Sequence, residues 1–430
     1  MKKSLTVGII SLFILSAIAP MSLGLDVKTD VVRESVSTSS YVEPMEHIWS
    51  MYKNDSRNTG CSIYNTSDNP GHEKWKYFVD RSLIGGVAID KEGIIYVASS
   101  SNYDGLHAVY PNGTRKWKVS LDGYENQNPA IAPDGSIIVG TSRYLYSIYP
   151  NGTIKWKFSI NSNFNCETVV DSNGIIYTAT SDGIVYAIYA NGTLKWEFYA
   201  ADFIWYIALD EDENIYFGGP YSNSLFCLYP DGTLKWCYEF YYDMIGAPVI
   251  DDNGIIYAGF VHWLVALYPD GTEKWIVDFL ENDWYGYPSI APDGTIILSG
   301  AGDYVTALDP EDCSVIWQYL VDYRTDDFTT ASISADGFIY FGYKGYENDK
   351  GYLCCLYPNG TLKWKTRLTT DYLPFNSVNI YCNPAIGADG TVYVTSWFIR
   401  SGSNYTNIGY IHAFEFADVI VDRCHPGPID

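Results

Sequence analysis

The chain has 430 residues, with 51 acidic against 27 basic side chains, a formal net charge of −24, and 39 Tyr beside 13 Trp. So acidic a chain repels phosphate backbones, which argues against nucleic acid as a partner; the charge favours solubility and, more narrowly, cations or cationic partners. The aromatic content favours β-structure, and the length exceeds one compact domain unless the fold is made of repeats that contact only their neighbours.

Lys2 and Lys3, an apolar run from about Leu5 to Ala19, and small residues near Ser22 and Gly24 read as a signal peptide over 1–24. The run is short for a membrane span and no second one follows, so no transmembrane span is expected. The mature protein is expected to be secreted, or to reside at the cell surface or in the periplasm. Residues 25–46 read as a polar linker. The nine Cys are an odd number, and their positions do not suggest a disulfide framework, which a core of this size does not need.

From Trp75 onward one phrase recurs. It reads Leu-Tyr-Ser-Ile-Tyr-Pro-Asn-Gly-Thr-Ile-Lys-Trp at Leu145–Trp156, and close copies end at Trp275 and Trp364. The anchors Trp75, Trp117, Trp156, Trp196, Trp236, Trp275, Trp317 and Trp364 are spaced 42, 39, 40, 40, 39, 42 and 47 residues apart. A period in this range means a solenoid or a propeller. Between anchors lie a short apolar strand, a Gly turn, an Ile-Tyr strand, a Leu-Tyr-Ala-like strand and an Asx-Gly turn into the Lys-Trp strand. Asx-Gly between apolar runs is a strong hairpin signal, and four strands per forty residues make one propeller blade. First strands begin near Val87, Pro129, Thr168, Ile207, Pro248, Ser289, Ser332 and Pro384. The eighth unit has no Trp strand after Phe414, and the strand around Trp75 has no unit of its own. An all-β, eight-bladed propeller of four-stranded antiparallel blades is therefore predicted over 47–416, with the N-terminal strand completing the last blade; 417–430 is left as a tail. The eight Trp are expected to dock between adjacent blades.

These residues resemble the pyrroloquinoline-quinone-like (PQQ-like) propeller repeat almost throughout 87–414, and His47–Gly60 resembles the lead-in to such propellers. That family includes quinone-dependent alcohol dehydrogenases, scaffolds of outer-membrane protein assembly, and extracellular sensor or surface modules, so the resemblance implies the fold without choosing the function. In the dehydrogenases it implies a quinone in the central funnel with calcium, a catalytic Asp and often an adjacent Cys pair. Cys354-Cys355 offers such a pair, but Cys355 aligns with Ala108, Ala187, Ala266 and Ala307, and reads as a small strand residue.

Other constellations have plain readings. No His pair has metal-ligand spacing, and His107 and His412 occupy the same strand slot. Asp210-Glu-Asp-Glu-Asn214 imitates the start of a calcium loop but lacks its sixth-position Gly and its closing Glu; Asn214 reads as the turn residue in place of Gly. Of seven Asn-x-Ser/Thr sites, those at Asn112, Asn151, Asn191 and Asn359 are the repeat's own turn, a slot that Asp231 and Asp270 also fill, so turn geometry explains them.

Both Gly turns of each unit fall on one face, and the connections between blades fall on the other. The connection face carries the variable, aromatic and acidic segments, where binding residues gather. Tyr124, Trp205, Tyr206, Tyr242, Trp284, Tyr285, Tyr323 and Phe328 are the candidate ligand residues, suited to sugar rings or cationic groups. The expectation is a monomeric, non-enzymatic binding or scaffold module for an extracellular protein or glycan, with no cofactor and no metal. The alternatives are a PQQ- and calcium-dependent oxidoreductase, or a glycan-binding or glycan-cleaving propeller with two carboxylates across the funnel.

Overall fold

The computed structural model describes residues 48–415, apart from 80–82, 84, 101–103, 124–127, 160–161, 165, 201–202, 220–222, 280–283, 302, 322–324, 346–349, 371–376, 381 and 400–406. The expected signal peptide, linker and C-terminal tail lie outside these residues.

Eight antiparallel sheets follow one another along the chain and form an eight-bladed β-propeller. Blades 1 to 7 span 87–119, 130–159, 169–199, 206–239, 249–278, 284–320 and 325–367. Blade 8 takes its inner strands from 377–415, and its outermost strand is His72–Val79, which pairs antiparallel with Asn407–Glu415. The N-terminal strand thus closes the ring, which leaves no gap between first and last blades. No α-helix occurs among the described residues, and none there is long and apolar enough to cross a membrane.

Burial follows position in the blade. The second and third strands have a blade on either side, so both faces are covered: Ile176–Ala179 is buried throughout. The outermost strand alternates half-buried and exposed residues, as in Leu194–Tyr199. The residue facing each anchor Trp across the two outer strands is small, including Ala108, Ser147, Ala187, Cys227, Ala266, Ala307 and Cys355.

Contacts between blades repeat with the period. Each anchor indole is partly buried and donates its Nε1–H to a carbonyl of the next blade: Trp75 to Pro111, Trp117 to Pro150, Trp156 to Ala190 and Trp196 to Pro230. Trp236, Trp275 and Trp317 do the same to Pro269, Pro310 and Pro358, and Trp364 completes the circuit on Asn69. In seven of the eight contacts the same Trp covers the turn glycine of that neighbour; in the blade that Trp275 contacts the left-handed turn residue is Cys313, at φ +60°. A Cβ on Gly232, at φ +86°, would lie 2.7 Å from the Trp196 ring, so this turn needs glycine both for its backbone and for the ring above it.

A second device is confined to four blades. Asp90, Asp171, Asp210 and Asp251 accept the N–H groups of their own turns and the hydroxyls of Tyr96, Tyr177, Tyr216 and Tyr257 at 2.7, 3.2, 2.7 and 3.0 Å. Blades 2 and 6 have Ile138 and Ile297 in the Tyr position and Ala132 and Ala291 in the Asp position. Blades 7 and 8 keep the tyrosine, as Tyr340 and Tyr393, but have Ser334 and Gly387 in the Asp position, so no blade keeps the buried carboxylate without its hydroxyl partner, which would be costly.

Candidate functional site

The innermost strand of every blade is an edge, and its inward N–H groups need acceptors. The lead-in segment supplies them. The carbonyls of Trp49, Ser50, Ser56, Arg57, Thr59 and Gly60 accept the N–H groups of Ile89, Ile131, Leu209, Ile250, Ile290 and Ile333 at 2.7–3.1 Å. These donors are the last paired residue of the innermost strand in blades 1, 2, 4, 5, 6 and 7. The segment therefore runs as a hoop inside the ring, at the Gly-turn end of the central channel. Asn69 ends the circuit in blade 8, its Nδ2 donating to the carbonyls of Gly390 and Phe414.

Two buried side chains point from the hoop deeper into the ring. Asn58 Nδ2 bridges the Ile207 and Pro248 carbonyls at 2.9 and 3.1 Å. Lys53 Nζ donates to the Pro288 carbonyl at 2.8 Å, and burial pulls its pKa from 10.5 down to about 7 against the opposing attraction of Asp55. Outside the hoop a cleft of about 640 Å³ opens between it and blades 5 and 6, bordered by Asp55, Arg57, Asp252, Asp293 and Glu311. Arg57 binds Asp252 there at 2.6 Å.

Above the hoop, the residue three before each innermost-strand end defines one level of the channel. It is Gly86, Asn128, Glu167, Tyr206, Ala247, Tyr287, Thr330 and Asn383 in blades 1 to 8. Tyr52 of the hoop stacks on Tyr206 with ring centroids 6.3 Å apart and an interplanar angle of 25°, and it hydrogen-bonds Thr330. Tyr206 and Tyr287 hydrogen-bond each other. Glu167 is the one carboxylate at this level. Its Oε2 accepts the Asn128 N–H at 3.1 Å, and burial pushes its pKa from 4.5 up to about 8, the Asn128 N–H pulling the other way.

The candidate ligand residues do not form one patch. Tyr124 and Tyr323 lie outside the described residues, and for Trp284 and Tyr285 only the backbone, in the strand Trp284–Ile290, is described. Phe328 is half-buried and stacks on Phe341 at 5.1 Å. Tyr206 belongs to the channel ring. Trp205 and Tyr242 are exposed, on the connections into and out of blade 4. Tyr241, which the sequence reading did not single out, is 95% exposed, and Tyr199 is 69% exposed. Tyr242 stacks on Trp263 at 6.4 Å, and Phe240 fixes the pair from beneath by packing on Phe260 and Trp263. A period-based reading weighs the residues of a connection alike; their exposure separates Tyr241 and Tyr242 from Phe240.

The family model described as "Outer membrane protein assembly factor BamB" matches residues 102–203. Two natural structures share the fold. BamB from Moraxella catarrhalis superposes with a TM-score of 0.62 at 14% identity, covering 80% of this chain and all of that one. The quinohemoprotein alcohol dehydrogenase from Comamonas testosteroni gives 0.66 at 14% identity, covering 87% of this chain and 81% of that one. Residues 102–203 match the PQQ-like repeat family, and the chain as a whole shares the β-propeller fold of these proteins. A computationally designed propeller, Ika8, is similar to it as well, at 10% identity, a TM-score of 0.63, and coverage of 80% of this chain and all of that one. Among curated protein sequences none matches.

Within this propeller, Cys354 and Cys355 are fully buried in the third strand of blade 7, where they pair with Lys365 and Trp364. Cys355 fills the slot that alanine fills in five other blades, away from the channel. His107 and His412 are buried and bonded within the blades, to Tyr77 at 2.9 Å and to Ser396 at 2.7 Å. The turn after Asp210 requires one correction. Its left-handed residue is Glu213, at φ +61°, rather than Asn214. Asp210 Oδ1 caps the N–H groups of Asp212 and Asn214, which fixes the register one residue earlier, and Asn214 Nδ2 binds Asp210 Oδ2 at 2.7 Å instead.

Proposed function

We propose that this PQQ-like propeller is an exported, non-enzymatic binding module of the cell envelope or surface that holds a polypeptide on its connection face. The observation that carries this reading is the set of aromatic side chains left exposed around blade 4, Tyr199, Trp205, Tyr241 and Tyr242. Exposed Tyr and Trp on a rigid base give large contact area at low entropic cost, which is the chemistry of interface hot spots. Phe240, Phe260 and Trp263 supply the rigid base. The hoop occupies the Gly-turn end of the channel, so this reading takes the connection face as the side of approach. The likeness of residues 102–203 to an outer-membrane assembly factor supports a protein ligand and an envelope location.

The test is a photo-crosslinking residue placed at position 241, with position 189 on the Gly-turn face as control, in the producing cell. The reading expects a discrete crosslinked protein at 241 that is lost on adding Trp205→Ala and Tyr242→Ala, with thermal stability unchanged. Selective retention on a glycan panel would make the ligand a carbohydrate. Turnover of an alcohol that requires added quinone and calcium would refute the non-enzymatic reading.

A further inference from the structure

Glu167 is a carboxylate deep in the molecule with no basic partner among the described residues. The titratable groups around it are Tyr52 from the hoop, Tyr206 from blade 4, Cys166 beside it and Cys382 from blade 8, and all four feel its charge. Burial raises the pKa of each, so each is neutral at physiological pH and none balances the acid. Lys53 turns its ammonium to the Pro288 carbonyl and has Asp55 as its charged neighbour. Tyr52, Glu167, Tyr206 and Tyr287 all keep some solvent-accessible surface, so they front an internal space rather than packed protein. That space is floored by the hoop.

We propose that this ring is a binding site for a protonated primary amine, which enters from the connection face and seats on the Glu167 carboxylate among Tyr52, Tyr206 and Tyr287. An ammonium has three donors and no acceptor. The ring offers it a carboxylate, phenolic oxygens and the faces of two stacked aromatic rings, the combination that favours an organic cation. A divalent metal fits less well, since calcium takes six to eight oxygen ligands, several of them charged, and no group of three His, Cys, Asp or Glu side chains comes together among the described residues. The amine has two possible sources, a free small molecule or a lysine side chain or N-terminus of the polypeptide proposed to dock above; the second rests on that proposed function.

The experiment is isothermal titration of the full chain with n-butylamine, with Nα-acetyl-lysine methylamide and with lysine-containing peptides, n-pentanol serving as the neutral control. It is run near pH 7 in two buffers of different ionisation enthalpy. With the Glu167 carboxyl held up at about 8, it is mostly protonated at pH 7, so binding an ammonium releases about one proton. Glu167→Gln keeps an acceptor for the Asn128 N–H and removes the charge; it is expected to weaken amine binding roughly thirty-fold or more and to abolish the proton release. Butylamine binding as tightly as the peptides identifies free amines as the ligand. A preference for peptides that Trp205→Ala with Tyr241→Ala removes identifies the docked polypeptide. No amine binding by the folded wild type, or equal binding by Glu167→Gln, overturns the proposal. Amine binding that survives while crosslinking at position 241 fails leaves this site standing and removes only the docking face.

Discussion

Asn58 is where the lead-in hoop grips the ring, and replacing it by glycine measures that grip. The wild-type amide donates to two buried carbonyls, Ile207 and Pro248, at 2.9 and 3.1 Å. Losing the donor leaves both acceptors dry, at about 1–3 kcal/mol each, less a small gain because the Asn58 Oδ1 is itself buried without a partner. The expected loss for Asn58→Gly is about 2–4 kcal/mol. Asn58 also sits at φ +58°, which glycine tolerates and alanine resists, so Asn58→Ala is expected to lose about 1 kcal/mol more. Urea unfolding followed by tryptophan fluorescence reads the total. Hydrogen exchange locates it: the amides of Leu209 and Ile250, held by the Ser56 and Arg57 carbonyls, should exchange faster, while that of Ile89, held by Trp49, should not. A glycine variant within about 0.5 kcal/mol of wild type, or loss of protection spread evenly over all blades, would refute the claim that the hoop is pinned here.

Two further outcomes test other parts of the argument. Gly232→Ala, which combines φ +86° with a Cβ 2.7 Å from the Trp196 ring, is expected to cost about 2–3 kcal/mol in urea unfolding. Gly294→Ala, at φ +88° but with nothing within 4 Å, should cost only about 1 kcal/mol, and equal losses would mean the ring contact contributes nothing. Lys53 has a folded pKa of about 7, below its ordinary 10.5, so between those values the unfolded chain binds the extra proton. The stability of wild type relative to Lys53→Met should therefore rise by about 1.4 kcal/mol per pH unit from about pH 7 towards 10.5, and be lost as pH falls back through 7. A difference independent of pH would show that Lys53 is not titrating in the ring.

The architecture was legible in the sequence because its signals are local. Each blade is a set of hairpins whose turns are written as Asx-Gly between apolar runs, and the Trp spacing counts the blades. The closing strand was legible too, since the eighth unit lacked the very strand that His72–Val79 supplies. The turn at Asp210 was misread by one residue because sequence aligned the Asn with the missing Gly, whereas the hydrogen bonds of the Asp210 carboxylate set the register.

What the sequence determined by itself, then, is what repeats with the period: strand, turn and anchor Trp. Tertiary structure alone decided the channel. The hoop bonds the ring through backbone carbonyls, which every residue possesses, so no side-chain pattern announces it. Glu167, Tyr206 and Tyr287 are separated by 39 and 81 residues and look like unrelated loop residues until eight blades close. Only closure brings one register position of every blade to a common level, where a carboxylate with no counter-charge among the described residues acquires a meaning that its own segment does not carry.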